Sequence, residues 1–319
     1  MTTTPLRIAI QMDPLETVDI HGDTSFALAE AAQNRGYSVF VYGPEHLTYS
    51  EGKVLARARP AKVQRVEDTP GIFGDEVMLD LAADIDVVLM RQDPPFDMSY
   101  ITACHLLELI SEETLVLNDP KFVRGSPEKI FPMLFPELMP PTMISRDEQA
   151  IKDFRAKHKD IILKPLYGNG GAGVFRVKAD DSNYASLMEM FLERSREPII
   201  AQAFLPDVKF GDRRVILIDG EAVGAINRVP LEGETRSNMH VGGVAKPVEL
   251  NEHDIRISNA IGPELKRRGQ VLVGIDVIGD RLTEVNVTSP TGVQELKRFS
   301  GIDAAELFWV AVDRRLGRV

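Results

Sequence analysis

The segment Val271 to Val287, VLVGIDVIGDRLTEVNV, brings two carboxylates and an amide oxygen to one face of a hairpin. Val273, Ile275 and Val277 alternate with Gly274, Asp276 and Ile278. On the return strand Val285 and Val287 alternate with Glu284 and Asn286. That is the period of two of a strand with one buried face. Matching the apolar faces pairs 277 with 283, 275 with 285 and 273 with 287, and requires a three-residue turn at Gly279-Asp280-Arg281. Asp276 then stands opposite Glu284, with Asn286 two residues along the same face. Like charges so placed repel unless a cation neutralises them. Three hard oxygen donors beside a phosphate site suit magnesium. The other reading is a solvated hairpin face.

A second chemical element is the run Gly168-Asn169-Gly170-Gly171-Ala172-Gly173, which satisfies G-x-G-x-x-G. A dinucleotide fingerprint needs a helix after that turn, but Val174-Phe175-Arg176-Val177 follows, a strand pattern. The context is strand–loop–strand, suited to a glycine flap whose backbone amides approach phosphates closely. The alternative is a flexible hairpin tip without a ligand. No Gly-Lys-Ser/Thr ends the run, so it is not a Walker loop, and no HRD or DFG motif supports a protein kinase. Lys164 closes the apolar strand before the flap, where its ammonium can reach a phosphate; otherwise it is a snorkelling edge lysine. Lys129 is a further candidate, in the second turn of a helix expected to start at Ser126-Pro127, and is otherwise a surface lysine.

Other chemistry is thinly represented. There is no G-x-S-x-G, and the six histidines show no metal spacing, with His240 alone in a glycine-rich stretch. The single cysteine, Cys104, lies in a helix pattern as a packed apolar residue. It excludes an internal disulfide and any multi-cysteine metal site. Arg213, Arg214 and Arg228 in strands would ordinarily be salt-bridged surface residues. The chain has 319 residues, 44% hydrophobic and 27% charged, which is more than one core usually fills. A net charge of −11, from 37 basic and 48 acidic residues, disfavours nucleic acid and anionic membranes as partners but leaves room for a local basic pocket. No run of 18 apolar residues is present, and the first residues lack a secretory-signal pattern, so the expected location is cytoplasmic.

The elements that position these residues follow from periodicity. Strands are expected at 6–12, 37–42, 86–91 and 115–117, with helices at 24–36 (capped by Asp23 or Thr24 and stopped by Gly36) and 98–111. A short hairpin is expected around Tyr49 to Val54. This βαβ rhythm predicts a small, mostly parallel sheet with packed helices. The proline-rich stretch from 120 to 146 marks a boundary. Beyond it, strands are expected at 161–166, 174–177, 199–204 and across 214–229, and helices near 147–158, 182–194, 251–268 and 303–316.

Taken together, these parts resemble the ATP-grasp superfamily, and within it the bacterial glutathione synthetases. The segments that carry the resemblance run in order along nearly the whole chain: IAIQMDP (8–14), VVLMRQDPPFD (87–97), LNDP (117–120), EKIF (128–131), ILKPLYGNGGAGVFRV (162–177), GETRSN (233–238) and GIDVIGDRLTEVNVTSPTG (274–292). The implied fold is α/β (α+β), an ATP-grasp fold preceded by a small α/β domain at 1–122. A small ATP-grasp subdomain at 123–200 would carry the flap, and a C-terminal subdomain at 201–319 the metal hairpin and a mobile loop at 230–246.

The resemblance implies that Lys129, Lys164, Gly168, Asn169, Gly170 and Gly171 hold ATP phosphates, that Gln202, Ala203, Phe204 and Leu205 form the adenine hinge, and that Asp212 contacts the ribose. Asp276, Glu284 and Asn286 would bind two magnesium ions, with manganese as a substitute. Arg214 and Arg228 would act on the transferring phosphoryl group or the dipeptide, and Arg236, Asn238, Thr291 and Gly292 would contact substrate. The implied reaction is ATP-dependent joining of γ-glutamylcysteine to glycine through an acyl phosphate. The implied assembly is a homo-oligomer, a tetramer or a dimer. Other readings are another ATP-grasp carboxylate–amine ligase, or a non-catalytic ATP-binding module. Two departures are Gln202, where many ATP-grasp proteins carry glutamate, and Tyr167-Gly168-Asn169, where others often show Asp-Gly-Met.

Overall fold

The computed structural model describes residues 4–231, 237 and 242–319. The chain opens with β1 (Arg7–Gln11), α1 (Thr24–Asn34) and β2 (Ser38–Tyr42), then β3 (Leu47–Ser50), β4 (Lys53–Val63), β5 (Gly71–Phe73), β6 (Val77–Asp80) and the short α2 (Leu81–Asp84). It continues through β7 (Val87–Met90), α3 (Met98–Glu108) and β8 (Leu115–Leu117) to α4 (Pro120–Arg124). The parallel strands β2, β1, β7 and β8 lie side by side, as the βαβ rhythm requires. The sheet is wider than periodicity suggests, because β4 pairs antiparallel with β2 and carries β3, β5 and β6. Asp23 caps α1 through the amide of Phe26, and Gly36, at φ +79°, lets the chain leave the helix.

The second sheet is antiparallel, ordered β11-β10-β12-β9, from β9 (Thr142–Ser145), β10 (Ile161–Pro165), β11 (Phe175–Val177) and β12 (Ile199–Ala203). With α5 (Glu148–His158) and α6 (Tyr184–Arg194) it encloses its own apolar cluster around Ile151, Leu163, Met188 and Ile199. Strand β9 escapes the periodicity reading because it is a four-residue edge strand directly behind Pro140-Pro141, paired with β12 alone.

The third sheet runs β15-β14-β13-β16-β17, from β13 (Asp212–Ile218), β14 (Glu221–Val229), β15 (Val244–Val248), β16 (Leu272–Ile278) and β17 (Arg281–Asn286). One of its faces packs on α7 (Glu252–Arg267), whose Ile257, Ile261 and Leu265 are fully buried. The closing helices α8 (Val293–Ser300) and α9 (Ala304–Arg315) return to α1. There Trp309 is buried and donates Nε1–H to the Leu28 carbonyl at 2.9 Å. The first and third sheets therefore share continuous apolar packing.

Three local expectations are corrected. No α-helix begins at Ser126-Pro127; a turn closes there, with Ile130 and Phe131 N–H donating to the Pro127 carbonyl, and a 3₁₀ turn follows at Phe131–Leu134. The same cap-then-proline logic operates seven residues earlier, where Asp119 caps α4 with Pro120 at its first position. Second, the β16–β17 hairpin turns on two residues, Gly279-Asp280, because Ile278 pairs with Arg281 and Val277 with Leu282. An irregularity between Asp276 and Val277 takes up the extra residue, so Asp276 still faces Glu284, Ile275 faces Val285 and Gly274 faces Asn286. The displaced residue is Thr283, whose hydroxyl donates to the Asp276 carbonyl at 3.1 Å. Third, Val244 to Lys246, expected within a loop, belong to β15 and pair with Val229, Arg228 and Asn227. Arg236, Asn238 and His240 lie outside the described residues.

Candidate active site

A cleft of about 990 Å³ opens where the three sheets meet, a volume suited to a small-molecule site. Antiparallel pairing of β13 with β16 sets Arg214 directly beside Asp276. The guanidinium grips the carboxylate with both ends, Nε to Oδ1 at 2.6 Å and one terminal nitrogen to Oδ2 at 3.2 Å, while its other terminal nitrogen donates to the Thr291 carbonyl at 3.3 Å. Arg228, from β14, pairs in register with Asp212 and bridges it at 2.5 Å to Asp276 at 3.0 Å. All four side chains are buried. Two neighbouring atoms, Asp212 Oδ1 and Arg228 Nε, are buried without a hydrogen-bond partner among the described residues, which is uncommon for buried polar groups.

The opposite wall is built on Glu284. Lys164 Nζ, near the end of β10, donates to Glu284 Oε1 at 3.1 Å, and Lys129 Nζ approaches the same oxygen at 3.7 Å. Lys129 also contacts Glu128 and donates to the Gly168 carbonyl at 2.5 Å, so it touches the glycine flap. Its position follows from a single long-range bond, Val285 N–H to the Glu128 carbonyl at 2.9 Å, which seats the turn against β17 beside Glu284. The flap joins β10 to β11 as strand–loop–strand, with Gly170, Gly171 and Gly173 at φ of +61°, +80° and +70°, a region costly for other residues.

Electrostatics follow from this crowding. Burial pushes the Asp212 carboxyl up to about 6, against the pull of Arg228. Burial also opposes the charge on Asp276, but Arg214 and Arg228 outweigh it and hold the carboxyl well below its usual range. For Glu284, burial is likewise outweighed, by Lys129 and Lys164. Burial and then Glu284 raise Glu128. Among the described residues, four carboxylates (Glu128, Asp212, Asp276, Glu284) thus face four cations (Lys129, Lys164, Arg214, Arg228). The cation that the hairpin carboxylates demand is partly supplied by these side chains, whose arrival no local pattern foretells.

Most of the expected site residues come together. Lys129, Lys164, Gly168 to Gly171, Gln202 to Leu205, Asp212, Arg214, Arg228, Asp276, Glu284, Asn286 and Thr291 all line the cleft. Gln202 is buried with its Nε2 on Thr142 Oγ1 at 2.8 Å, and the amides of Ala203 and Phe204 already donate to the carbonyls of Pro141 and Asp160. Gly292 does not line it. At φ +107° it precedes α8, and a Cβ there would meet Ile226 at 3.1 Å and Arg214 at 3.5 Å. Arg213, ambiguous in sequence, points away from the cleft and holds the buried Asp254 of α7.

Sequence reasoning missed Glu128, Thr283 and the whole cleft end built from Asp13, Asp19, Asp23, Arg91 and Asp93 of the first sheet with Glu295 of α8. A topological signal was available. Asp13 and Arg91 follow the carboxyl ends of the adjacent parallel strands β1 and β7, where open α/β sheets bind ligands.

Asp276, Glu284 and Asn286 present hard oxygens on one hairpin face, and Asn286 spends its Nδ2 on the Gly274 carbonyl at 3.2 Å, which leaves Oδ1 as an acceptor. That donor set fits a divalent ion whose remaining shell is phosphate. Among the described residues no cluster of three or more histidine, cysteine or carboxylate side chains is arranged as an all-protein metal cage.

Comparison with known proteins agrees with this geometry. Residues 6–124 match the prokaryotic glutathione synthetase N-terminal domain, and residues 128–301 match the prokaryotic glutathione synthetase ATP-grasp domain. A glutathione synthetase of Mesorhizobium japonicum is 56% identical over 308 residues, 97% of this chain and 98% of its own length. One from Vibrio vulnificus is 42% identical over 315 residues, 98% of each. Among solved structures, a D-cycloserine synthetase superposes with a TM-score of 0.69 at 17% identity, covering 97% of this chain and 99% of its own. A RimK-domain ATP-grasp protein of Sphaerobacter thermophilus gives 0.62 at 17%, covering 95% and 97%. At such identities the structures establish the ATP-grasp fold, while the sequence matches go further: this chain belongs to the prokaryotic glutathione synthetase family.

Proposed function

We propose that the protein is an ATP-dependent ligase that joins the cysteinyl carboxylate of γ-glutamylcysteine to the amine of glycine. The observation that carries this reading is the convergence of Lys129, from the turn before β9, and Lys164, from β10, on Glu284 of β17, under a glycine flap whose Gly168 carbonyl Lys129 also holds. A carboxylate does not react with an amine at neutral pH. Transfer of the γ-phosphoryl group to a carboxylate oxygen, with ADP leaving, gives an acyl phosphate. Attack of the glycine amine on its carbonyl carbon then forms the amide and expels phosphate.

Lys129 and Lys164 neutralise phosphate oxygens as charge moves between them. Arg214 and Arg228 lie on the wall where the carboxylate must sit, and stabilise the oxyanion of the second step. The flap, turning on its glycines, excludes the water that would hydrolyse the intermediate. Divalent metal belongs to the chemistry of this family; at Asp276, Glu284 and Asn286 it would neutralise the β- and γ-phosphate charge. We take the complement to be two magnesium ions, replaceable by manganese. The three-part division at 1–122, 123–200 and 201–319 is supported by the separate apolar cluster of the second sheet. A cytoplasmic homo-oligomer, dimer or tetramer, accords with the family resemblance.

The test is phosphate release from ATP and magnesium, with γ-glutamylcysteine and glycine present together or omitted singly, and the product identified by mass spectrometry. Release requiring both, with glutathione formed, is expected. Release only with other amino acids would replace the substrates and keep the ligase. ATP binding without release would leave a non-catalytic nucleotide-binding module.

A further inference from the structure

Three aromatic rings run from the core to the root of the flap. Tyr100 of α3 is fully buried, and Phe96, in the loop between β7 and α3, packs on it with ring centroids 5.2 Å apart and planes at 42°. Phe96 also packs against the apolar cluster shared by the first and third sheets. It stacks in turn on Tyr167, at 6.3 Å and 27°, a separation and tilt suited to an offset aromatic pair. Tyr167 lies just past β10 and immediately precedes Gly168, the first residue of the flap. Phe96 and Tyr167 are both partly buried, and neither lines the cleft.

The place of Tyr167 in the chain gives this contact its consequence. The glycines with positive φ, Gly170, Gly171 and Gly173, all lie beyond it, so the conformational freedom of the flap begins past Tyr167. Before it the backbone is held, because Lys164 and Pro165 pair with Ile200 and Ile199 of β12. Just after it Gly168 packs so closely that a Cβ would stand 3.1 Å from Pro165 Cβ. The Gly168 carbonyl accepts from Lys129 Nζ at 2.5 Å. The ring of Tyr167 therefore fixes the stationary arm of the flap and, through Gly168, the setting of Lys129. An aspartate, which other ATP-grasp proteins often carry at this position, has no ring to stack on Phe96.

We propose that Tyr167 is a positioning residue: stacked on Phe96, it anchors the root of the flap to the first sheet, so that closure over the phosphates starts from a fixed arm and water is kept from the acyl phosphate. The inference rests on the ligase reading above. Tyr167 acts through Gly168 and Lys129, since its ring is outside the cleft. Without the stack the root of the flap shifts and the closed state is less populated. Water then reaches the acyl phosphate, adds its oxygen to the carbonyl carbon and expels phosphate. That step returns the dipeptide carboxylate and a proton, and no amide is formed.

The experiment counts phosphate released per glutathione formed, with ATP, magnesium and γ-glutamylcysteine saturating and glycine well below saturation, where the intermediate waits longest. Tyr167→Leu keeps apolar bulk but removes the ring. It should raise the phosphate-to-glutathione ratio and lower kcat/KM for ATP, each by roughly two- to tenfold, the worth of one stacked aromatic pair. Tyr167→Phe keeps the ring and should restore both. Phe96→Leu should reproduce the effect of Tyr167→Leu, and the double variant should be no worse than either alone. A ring that only fills space would lower the melting temperature and leave the ratio untouched. A wild-type ratio in Tyr167→Leu, failure of Tyr167→Phe to restore it, or effects of the two leucine variants that simply add would each overturn the assignment. Wild-type enzyme that forms no glutathione would instead overturn the ligase reading, an outcome visible before any variant is made.

Discussion

Asn118 offers the sharpest test of how the fold holds the candidate site. Its side chain is buried between the first sheet and the β16–β17 hairpin, and all four of its hydrogen-bonding positions are used. Nδ2 donates to the carbonyls of Leu272 at 2.8 Å and Val287 at 2.7 Å, and Oδ1 accepts from the amides of Val271 at 2.8 Å and Leu272 at 3.1 Å. One amide thus fastens the start of β16 to the chain just beyond β17, the strands that carry Asp276 and Glu284. Asn118→Ala leaves two carbonyls and two amides without partners. At a net value of about 0.5–1.5 kcal/mol per bond the sum is roughly 2–6 kcal/mol, and a loss near 3 kcal/mol is expected once water enters the space. Asn118→Asp conserves size but turns an acceptor towards two carbonyl oxygens, and should be at least as destabilising. Urea unfolding followed by the single tryptophan, Trp309, which lies in the core shared by α1 and α9, reads the change directly. Stability within about 1 kcal/mol of wild type for either variant would refute the claim that this amide ties the hairpin to the first sheet.

Three further outcomes are expected. Glu284→Gln should leave the protein folded, because Glu128 still faces Lys129, yet reduce phosphate release by about 100-fold or more through loss of a charge at the phosphates; full activity would remove Glu284 from the metal and lysine constellation. Gly274→Ala would place a Cβ 2.9 Å from Arg214 Cδ and 3.0 Å from Pro290, in a side chain already locked onto Asp276; kcat should fall at least tenfold while the ATP dissociation constant, measured by titration calorimetry, stays unchanged. Glu264 is held at about 2, below its ordinary 4.5, by Arg267, then against partial burial by Arg268. Its folded value is depressed, so its contribution to stability is complete above pH 4.5 and is lost as pH falls towards 2. The melting-temperature gap between wild type and Glu264→Gln should therefore be constant above pH 5 and narrow below it, and a gap that widens on acidification would refute the assignment.

What the sequence made legible is what depends on near neighbours. The α1 cap, the strand–loop–strand setting of the flap and the facing of Asp276 with Glu284 all follow from periodicities within about twenty residues. The hairpin shows both the strength and the limit of such reasoning. The alternation of side chains fixed which faces meet, because a one-residue slip would send Val285 to the polar side. It could not tell a three-residue turn from a two-residue turn with a bulge, since both bring 276 to 284. The bulge is settled by tertiary contacts, with Thr283 folding its hydroxyl onto the Asp276 carbonyl. Likewise Ser126-Pro127 and Asp119-Pro120 carry equivalent start signals. Only the latter becomes a helix, because the backbone after Pro127 instead binds β17 through Glu128 and Val285.

The candidate site was legible as parts and not as an arrangement, and the reason is sequence separation. Lys164 meets Glu284 across 120 residues, Arg214 meets Asp276 across 62, and Arg91 meets the Pro290 carbonyl across 199. Each contact exists because strand order brings distant segments to one cleft, and no local period encodes strand order. Two consequences follow for the charges. Arg214 and Arg228 read in isolation as surface salt-bridge formers, and they do form salt bridges, but inside the cleft, to the carboxylate that was expected to hold metal. Arg91 and Glu295 carry no local sign of a role of their own, one at the apolar strand end within VVLMRQDPPFD and the other in a short amphipathic helix. Their placement against the same four residues, Gly22 to Ser25, brings both to one end of the cleft. The rule that parallel strands offer ligands their carboxyl ends points to Asp13 and Arg91 from strand order alone, so topology marks the same cleft end to which the segments IAIQMDP and VVLMRQDPPFD belong.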